Sequence, residues 1–264
     1  NKFKFYQALI LVPTITLVEQ WEEECKRFNF NNIIKVSSKN QGWRSEIDDI
    51  KLKESLAQSE DLPSSFIIIA TYASFSRETA FKHLMSLSKK TQRQMLLIAD
   101  EAHNIGAPNI ISKLDRVRIL RRIGLSATPE RQFDDNGNKA VMQFFGCDDQ
   151  YTFEYSMKDA IDNGFLCRYK YFPHVVRLNE DEMAEYKKIS LQLAKFYNVD
   201  EGSFSGADDI LMRLLLKRKR IIHKAKNKEE VFRLIVKQRY EERGNLKYTL
   251  VYVPEGVQPD NNTQ

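Results

Sequence analysis

The hydrophobic positions of this chain form short unbroken runs that end at polar residues. Ala8–Val12, Phe66–Ala70 and Met95–Ala99 are each too short for a helix face and do not alternate with polar residues. Each run therefore predicts a strand buried on both sides, as in a parallel sheet. A fourth run ends at Leu125. Short buried strands separated by helical segments predict an α/β fold, a parallel sheet flanked by helices.

Polar residues follow each of these four runs. They are Thr14, Thr71, Asp100 with Glu101, and Ser126. In open parallel sheets the ligand binds outside the carboxyl ends of the strands. The sequence therefore predicts that these side chains meet at one functional edge of the sheet.

Helical spacing appears between and after the strands. Leu17, Trp21, Cys25 and Phe28 predict a helix that starts after Pro13, with Thr14 or Thr16 as its N-cap. Residues 37–64 are polar and charged and predict a surface excursion. Further predictions are helices from Ser156, from Glu180 to about Phe196 and from Ile210 to about Arg239, strands at Tyr169–Leu178 and Lys247–Val253, a loop at Glu201–Gly206, and a polar tail to Gln264.

Composition narrows the class of protein. The chain has 264 residues, 42% of them hydrophobic, which is enough for one large domain or two modest ones. The formal net charge of +5 permits a polyanionic partner without requiring one. Its 3 cysteines are isolated, which favours a reducing compartment. No apolar run approaches the roughly 20 residues that span a bilayer, and no signal peptide is apparent, so a cytoplasmic location is expected.

Two of the junctions between an apolar run and polar residues contain recognisable sequence motifs. Asp100-Glu101-Ala102-His103 and Ser126-Ala127-Thr128 resemble motifs II and III of the superfamily 2 helicases and translocases, the DEAD/DEAH-box class. The surroundings look most like the branch that includes type I and type III restriction-enzyme motor subunits and related bacterial DNA helicases. This resemblance implies a RecA-like lobe over residues 1–165. It also implies a linker and the beginning of a second RecA-like lobe over residues 166–264, whose first strand falls near Thr249–Pro254.

The resemblance also implies catalytic roles. Asp100 would hold Mg²⁺ through water, and Glu101 would accept the proton of the attacking water. His103 would hydrogen-bond toward the nucleotide and toward motif III, although a purely structural histidine is an alternative. Ser126 and Thr128 would couple hydrolysis to the nucleic-acid side. The implied cofactors are ATP and Mg²⁺.

Two turns resemble the family's nucleic-acid contacts. By this resemblance Pro13 and Thr14 (motif Ia), and Thr71 in the third contact motif, would touch the phosphate backbone of DNA, with RNA as an alternative. A plain N-capped turn is the rival interpretation for Thr14, and ordinary packing is the rival for Tyr72 and is preferred for Phe75. Other subunits of a restriction or repair complex are further expected partners.

A basic stretch follows Ile210, and it includes Lys217 and Arg218. Clustered lysine and arginine are typical of phosphate binding. Leucines and isoleucines interleave at helical spacing, so a solvated face above a packed apolar stripe is an equally good interpretation.

One expected element is absent from the sequence. No glycine is followed by lysine, so the chain holds no G-x-x-x-x-G-K-[ST] phosphate loop. The chain also begins at Asn1 rather than methionine, so we interpret it as a piece of a longer protein that does not turn over ATP alone. The alternative function is a non-hydrolysing nucleic-acid-binding or scaffold protein with a degenerate helicase fold. A restriction-system motor subunit is a third possibility that shares the ATPase.

Overall fold

The computed structural model describes residues 5–56, 64–131, 134–147, 150–198, 203–204 and 209–253. The chain forms two compact units, residues 1–155 and 156–264. The first contains a five-stranded sheet in the order β2-β3-β1-β4-β5, in which every neighbouring pair is parallel. Its strands are β1 (Gln7–Val12), β2 (Ile33–Val36), β3 (Phe66–Thr71), β4 (Leu96–Asp100) and β5 (Arg121–Leu125). The predicted α/β class with a parallel sheet is confirmed.

Helices cover the sheet of the first unit. They are α1 (Ile15–Arg27), α2 (Trp43–Leu56), α3 (Tyr72–Phe75), α4 (Glu78–Leu84), α5 (Lys89–Gln94), α6 (Pro108–Leu114) and α7 (Asp135–Phe145). A 3₁₀ turn, Ala102–Gly106, follows β4. Thr14 is the N-cap of α1, and its hydroxyl accepts a hydrogen bond from the Leu17 N–H at 3.3 Å. This confirms one of the two predicted caps.

The two faces of the sheet are covered unequally. On one face, Leu9, Ile68 and Leu97 belong to a large cluster to which residues of α2, α3, α4, α6 and α7 contribute. On the other face, Ile10 and Ile69 pack with α1 through Val18, in a much smaller cluster. This second face carries Asp100, because side chains alternate along β4 and Ile98 packs against the smaller cluster.

The four predicted strands end at the expected residues or one later, but two expectations were wrong. Residues 37–64 are not a plain surface excursion, because Trp43, Ile47 and Ile50 of α2 are buried in the large cluster. These positions lie on one face of a helix, and the intervening charges hide that stripe in the sequence. The four-residue strand β2 was also missed, since Lys35 interrupts its apolar run.

Burial of β4 on both sides was a further error. Leu97 and Ala99 are fully buried, whereas Leu96 and Ile98 are only partly covered. β5 is more exposed still, with Ile123 at 45% and Leu125 at 43% of their full exposure. The physical reason is that α1 covers β1 and β3 and leaves the neighbouring strands partly bare.

The second unit is largely helical among its described residues. It contains α8 (Met157–Asp162), α9 (Glu180–Ala194), α10 (Asp209–His223), α11 (Asn227–Arg243) and an antiparallel ribbon of β6 (Tyr197–Asn198) and β7 (Ser203–Phe204). Ile189 and Leu193 of α9 pack against Leu211 of α10. Among the described residues, no helix is both long and apolar enough to cross a membrane.

Several sequence predictions for this unit are corrected. Tyr169–Leu178 and Lys247–Val253 contain no strand. Alternation in the first segment is not matched by a neighbouring strand, and Tyr171 is 80% exposed. The helix expected over 210–239 is two helices, separated at residues 224–226. Ser203–Phe204 is a strand within the expected loop. The other residues of this loop and the tail after Val253 lie outside the described residues. The second lobe implied by the resemblance stays a prediction.

An ion cluster joins α4 to α6 in the first unit. Glu78 accepts two hydrogen bonds from the Arg116 guanidinium, at 2.7 and 2.9 Å, and one from the nearly buried Lys113 at 3.1 Å. Both cations also lie over the Phe81 ring. Arg116 and then Lys113 lower the pKa of Glu78 to about 2.

This cluster predicts an acid-dependent contribution to stability. The folded pKa of Glu78 lies below its ordinary value of 4.5, so its stabilisation is present above pH 4.5 and is lost as pH falls toward 2. Glu78→Gln should therefore reduce the fall of Tm between pH 5 and 2.5, measured by circular dichroism. Glu24→Gln, which removes a carboxylate from an exposed pair with Arg27, is the control. Parallel Tm curves for wild type and Glu78→Gln would contradict the prediction.

The open edge of the β5 strand leads us to expect that the protein self-associates. Among the described residues β5 pairs only with β4, and its exposed Ile123 and Leu125 lie on the thinly covered face. Open edges with apolar side chains favour pairing between molecules. Ile123→Lys should raise the concentration at which light scattering detects oligomers, with the circular dichroism spectrum unchanged. Asn136→Lys adds the same charge on the exposed surface of α7 and should have little effect. Equal association in both variants would contradict the prediction.

Candidate functional site

The strand register brings the predicted polar residues to one edge. Val12 pairs with Thr71, Leu11 with Ala99, and Asp100 with Leu125. Strands β1, β3, β4 and β5 therefore end at the same level, and the residues that follow them lie along a single edge of the sheet. Ligands of open parallel sheets bind at such an edge.

Asp100, the last residue of β4, is held at three atoms. Its Oδ2 accepts the Trp21 indole N–H at 2.9 Å, and its Oδ1 accepts the Glu101 backbone N–H at 3.0 Å. Its backbone carbonyl accepts the Tyr72 hydroxyl at 2.8 Å. The carboxylate therefore has a fixed orientation, and each of its oxygens retains lone-pair capacity.

Tyr72 combines packing with this hydrogen bond. Its ring is buried in the large cluster, so burial, followed by the charges of Asp100 and Glu101, raises the pKa of its hydroxyl far above the ordinary value. The hydroxyl therefore stays protonated and acts as a permanent donor. Phe75 packs edge-on against Phe81 at 5.2 Å, which confirms the preferred packing interpretation.

The backbone turns sharply at Glu101. This residue has a φ of 50°, in the left-handed region that a residue with a side chain seldom adopts. Asp100 Oδ1 holds its N–H, and the Asn104 backbone and side-chain N–H groups donate to its carbonyl at 2.9 and 2.8 Å. Strained conformations of this kind persist where neighbours hold them, and they concentrate at functional sites. The turn directs the Glu101 carboxylate away from the strand.

Three polar side chains meet beyond this turn. His103 Nδ1 lies 3.3 Å from Ser126 Oγ and 3.4 Å from Glu101 Oε2. Ser126 Oγ is 3.5 Å from the same carboxylate oxygen and accepts the Thr128 backbone N–H at 3.2 Å. The residues after β4 are therefore in contact with those after β5. Glu101 and His103 remain partly exposed, so a ligand can reach them.

Arg131 supports this group and was missed in the sequence. It donates to the His103 carbonyl at 3.0 Å and to Asp134 at 2.7 Å. The Asn138 side chain accepts from the Arg131 backbone N–H at 2.8 Å and donates to the Arg131 carbonyl at 3.0 Å. The 3₁₀ turn also lies so close that a Cβ on Gly106 would be 2.6 Å from the Arg131 side chain. Its place directly after the Ser126–Pro129 junction was the available signal.

The two turns that resemble nucleic-acid contacts differ in accessibility. Thr14 is exposed at the start of α1, and Pro13 is partly exposed. Thr71 is only 5% exposed, and its hydroxyl is already bonded to Ser74, accepting from the backbone N–H at 3.1 Å and donating to Oγ at 3.0 Å. Thr71 therefore stabilises its turn as the N-cap of α3.

A polar pocket of about 390 Å³ opens beside this turn. It is lined by residues after β2, such as Ser37, by the first residues of α2 and α4, such as Thr79, and by Ser74 of α3. Arg44 and Arg77 also line it, and within the described part of the chain neither forms an ion pair with a carboxylate. For Arg77 the available signal was its place after the predicted strand that ends at Ala70, whereas Arg44 follows β2, which the sequence did not indicate.

In the second unit the basic helix has a packed apolar side. Leu214, Leu215 and Ile221 pack with Leu211 against α9, which fits the interpretation of a solvated face above an apolar stripe. Lys217 forms an ion pair with Glu185 at 3.0 Å, and Arg218 lies 5.8 Å from the Tyr186 ring centre. Phosphate binding by Lys217 and Arg218 stays a prediction.

The donor set at Asp100 suits a magnesium ion better than a metal held entirely by protein. Across the described residues, no group of three or more His, Cys, Asp or Glu side chains is arranged to hold a metal. Mg²⁺ in nucleotide sites commonly takes one or two carboxylates and completes its shell with water and phosphate oxygens. An oriented carboxylate with spare lone pairs fits this requirement.

The solved structures to which this chain is similar include the following two. The helicase domain of Hef from Pyrococcus furiosus shares 17% identity, covering 92% of this chain and 46% of that one, with a TM-score of 0.40. A nuclease-deletion mutant of the Type ISP restriction-modification enzyme LlaGI, in complex with a DNA substrate mimic, shares 14% identity, covering 96% and 30%, with a TM-score of 0.36. The chain thus spans less than half of either protein. No curated protein sequence matches it.

The family assignment rests on the amino-terminal half. Residues 1–131 match the family described as "Type III restriction enzyme, res subunit", and this segment contains β1 to β5 with both Asp100-Glu101-Ala102-His103 and Ser126-Ala127-Thr128. The match agrees with the resemblance carried by these motifs. Residues 1–131 therefore form a ResIII domain, a member of the helicase-like families of superfamily 2.

Proposed function

We propose that this chain is part of an ATP-dependent motor that moves on nucleic acid, with DNA as the preferred partner. The observation that carries the proposal is the contact between Glu101, His103 and Ser126 at the common edge of the parallel strands. These residues connect the carboxylate pair after β4 with the segment after β5. The membership of residues 1–131 in a helicase-like family supports the same assignment.

Hydrolysis of a nucleoside triphosphate needs an oriented water and a group that accepts its proton. Glu101 is the candidate acceptor, because its strained turn presents a partly exposed carboxylate beside His103. His103 and Ser126 hold Glu101 Oε2, which leaves the other oxygen for a water. Asp100 would hold Mg²⁺ through water, and the ion, when bound with ATP, neutralises charge on the phosphates.

Nucleic acid is expected on the side of the sheet edge that Thr14 and the Thr71 turn occupy. We assign Pro13 and Thr14 to contacts with the phosphate backbone, and Thr71 to the turn that carries the neighbouring pocket. Arg44 and Arg77 add two positive charges in that pocket that no described carboxylate neutralises. Arginine is well suited to phosphate because its fork donates two parallel hydrogen bonds. Ser126 and Thr128 follow β5, on the other side of β4, and from there they would couple hydrolysis at Glu101 to the bound nucleic acid.

The phosphate loop defines the first experiment. A motor requires a G-x-x-x-x-G-K-[ST] element, and residues 1–264 contain none. Sequencing the coding region upstream of Asn1 would identify it. A phosphate loop following an apolar strand would support the ATPase, and its pairing partner would be the free edge of β5. A start codon just before Asn1, without the element, would favour a non-hydrolysing nucleic-acid-binding protein.

The proposal also implies a cellular location and partner proteins. A cytoplasmic protein that acts with other subunits of a restriction or repair complex fits a helicase-like motor domain. By the proposal, the 264 residues alone do not turn over ATP, and the complete protein does.

Glu101→Gln tests the catalytic assignment in a form of the protein that contains the phosphate loop. The amide keeps the size of the side chain but accepts a proton poorly, so turnover should fall at least about a hundredfold. Binding of ATP should change little. Phosphate release and fluorescent-nucleotide titration measure the two effects.

Glu130→Gln is the control, because Glu130 is exposed and lies outside the group formed by Glu101, His103 and Ser126. Unchanged turnover in Glu101→Gln would remove this residue from the mechanism. Loss of ATP binding along with turnover would make its role structural.

Removing the pocket arginines tests the nucleic-acid side. Arg44→Ala with Arg77→Ala should weaken DNA binding by the 264-residue chain and lower the slope of log K against log salt by about 1 to 2, since each phosphate contact contributes roughly 0.9 on duplex DNA. Lys217→Ala with Arg218→Ala should also lower the slope, but by less, because Lys217 already pairs with Glu185. Fluorescence anisotropy from about 50 to 300 mM salt measures both.

The matched control removes the same charge elsewhere. Lys89→Ala with Lys90→Ala changes two exposed lysines at the start of α5, which precedes β4. If this pair lowers the slope as much as Arg44→Ala with Arg77→Ala, binding depends on net charge alone and the pocket assignment fails.

A further inference from the structure

The hydrogen bond from Trp21 to Asp100 joins two parts of the site that the sequence presents as separate. The indole N–H of α1 donates to Asp100 Oδ2 at 2.9 Å. Trp21 is the only side chain of the described residues that bonds to this carboxylate, because the other donor is the Glu101 backbone and Tyr72 bonds to the carbonyl. The orientation of the carboxylate about its own bond therefore depends on α1.

Helix α1 begins at the exposed Thr14 turn. Trp21 lies two turns further on, about 10 Å along the axis. Val18 and Cys25 on the same helix are buried against the sheet, and Glu22 pairs with Lys35 of β2 at 2.6 Å. These contacts hold α1 as one rigid element, so any displacement of its first turn at Thr14 would reach the indole.

We propose that Trp21 is a positioning residue that transmits nucleic-acid contact at the start of α1 to the Asp100 carboxylate. The proposal rests on the proposed function, since it needs nucleic acid at Thr14 and a role for Asp100. A small shift or rotation of α1 would lengthen or shorten the indole hydrogen bond and turn the carboxylate. Nucleic acid would thereby change the orientation of Asp100 without touching it.

Packing alone does not require this arrangement. Trp21 is only partly buried and packs at the margin of the smaller cluster, where a phenylalanine ring would also cover apolar surface. The distinguishing group is the N–H, which donates to a charged acceptor. Hydrogen bonds to charged groups are the stronger class, so this contact can hold the carboxylate against thermal rotation.

Indole N–H exchange measured by NMR on the 264-residue chain tests the hydrogen bond itself. The chain has two tryptophans, Trp21 and Trp43, so Trp21→Phe assigns the two signals. Without ligand, Asp100→Ala should speed exchange of the Trp21 indole proton about tenfold or more, as expected for loss of a hydrogen bond of at least about 1.4 kcal/mol. The Trp43 signal reports any general loss of structure.

Glu101→Ala is the matched control for charge. It removes the adjacent carboxylate, which makes no contact with the indole, and should leave Trp21 exchange unchanged. Equal acceleration in Asp100→Ala and Glu101→Ala, or none in either, would overturn the proposal, because no specific bond would then hold Asp100.

Transmission is tested by adding a fluorescein-labelled DNA oligonucleotide and following anisotropy and the indole signal together. The expected result is a change in Trp21 exchange that saturates with DNA binding in wild type and is absent in Asp100→Ala, although that variant still binds. A change that persists in Asp100→Ala would mean that DNA contacts the indole directly, and would overturn transmission.

The remaining outcomes separate the two proposals. Binding detected by anisotropy with no response at Trp21 overturns transmission and leaves nucleic-acid binding standing. Absence of binding in anisotropy overturns nucleic-acid binding by this chain and transmission with it. The ligand-free exchange data still decide whether the indole holds Asp100.

Discussion

The parallel sheet is the constraint on which the rest of the first unit depends. Its strand β3 is buried along its whole length, and burial leaves no room for polar side chains that lack partners. Polar residues can therefore lie only beyond the ends of the strands, where the chain leaves the sheet. The strand register places these ends at one level. The functional edge is a direct consequence of burial in the centre. Asp100, Glu101 and Ser126 lie together because β4 and β5 are parallel neighbours that end at the same level.

The turn after β4 stores the strain of the site. Glu101 adopts its left-handed backbone because Asp100 and Asn104 bond to it on both sides, and Arg131 fixes the next residues through the His103 carbonyl. Each of these bonds is local or comes from the segment after β5. The geometry of the carboxylate pair is thus determined by neighbouring polar groups, and the hydrophobic core contributes the fixed ends of the strands.

The sequence predicted the elements that follow from a local hydrophobic pattern, and it missed the features that depend on contacts between distant residues. The runs ending at Val12, Ala70 and Ala99 indicated three strands, because unbroken apolar runs of that length have few other structures, and the shorter apolar stretch ending at Leu125 indicated a fourth. The stretch after Trp43 looked loosely helical, but the burial of α2 was missed because Trp43, Ile47 and Ile50 lie among charges. Lys247–Val253 was predicted to be a strand but pairs with no strand among the described residues, and pairing is what forms a strand. The indole bond to Asp100 spans 79 residues and leaves no local signal.

The unequal covering of the sheet explains why the site is reachable. Had both faces been covered alike, Asp100 would lie under a helix and its charge would carry a large desolvation cost. It lies instead on the face that α1 covers only in part, next to the half-exposed Ile123 and Leu125 of β5. The same gap that exposes apolar surface on β5 leaves solvent and ligands access to the carboxylate. Access for a ligand and an unprotected strand edge are therefore two consequences of one feature of the fold. A further segment that covers β5 would leave the approach to Asp100 open only if that segment also ended at this edge of the sheet.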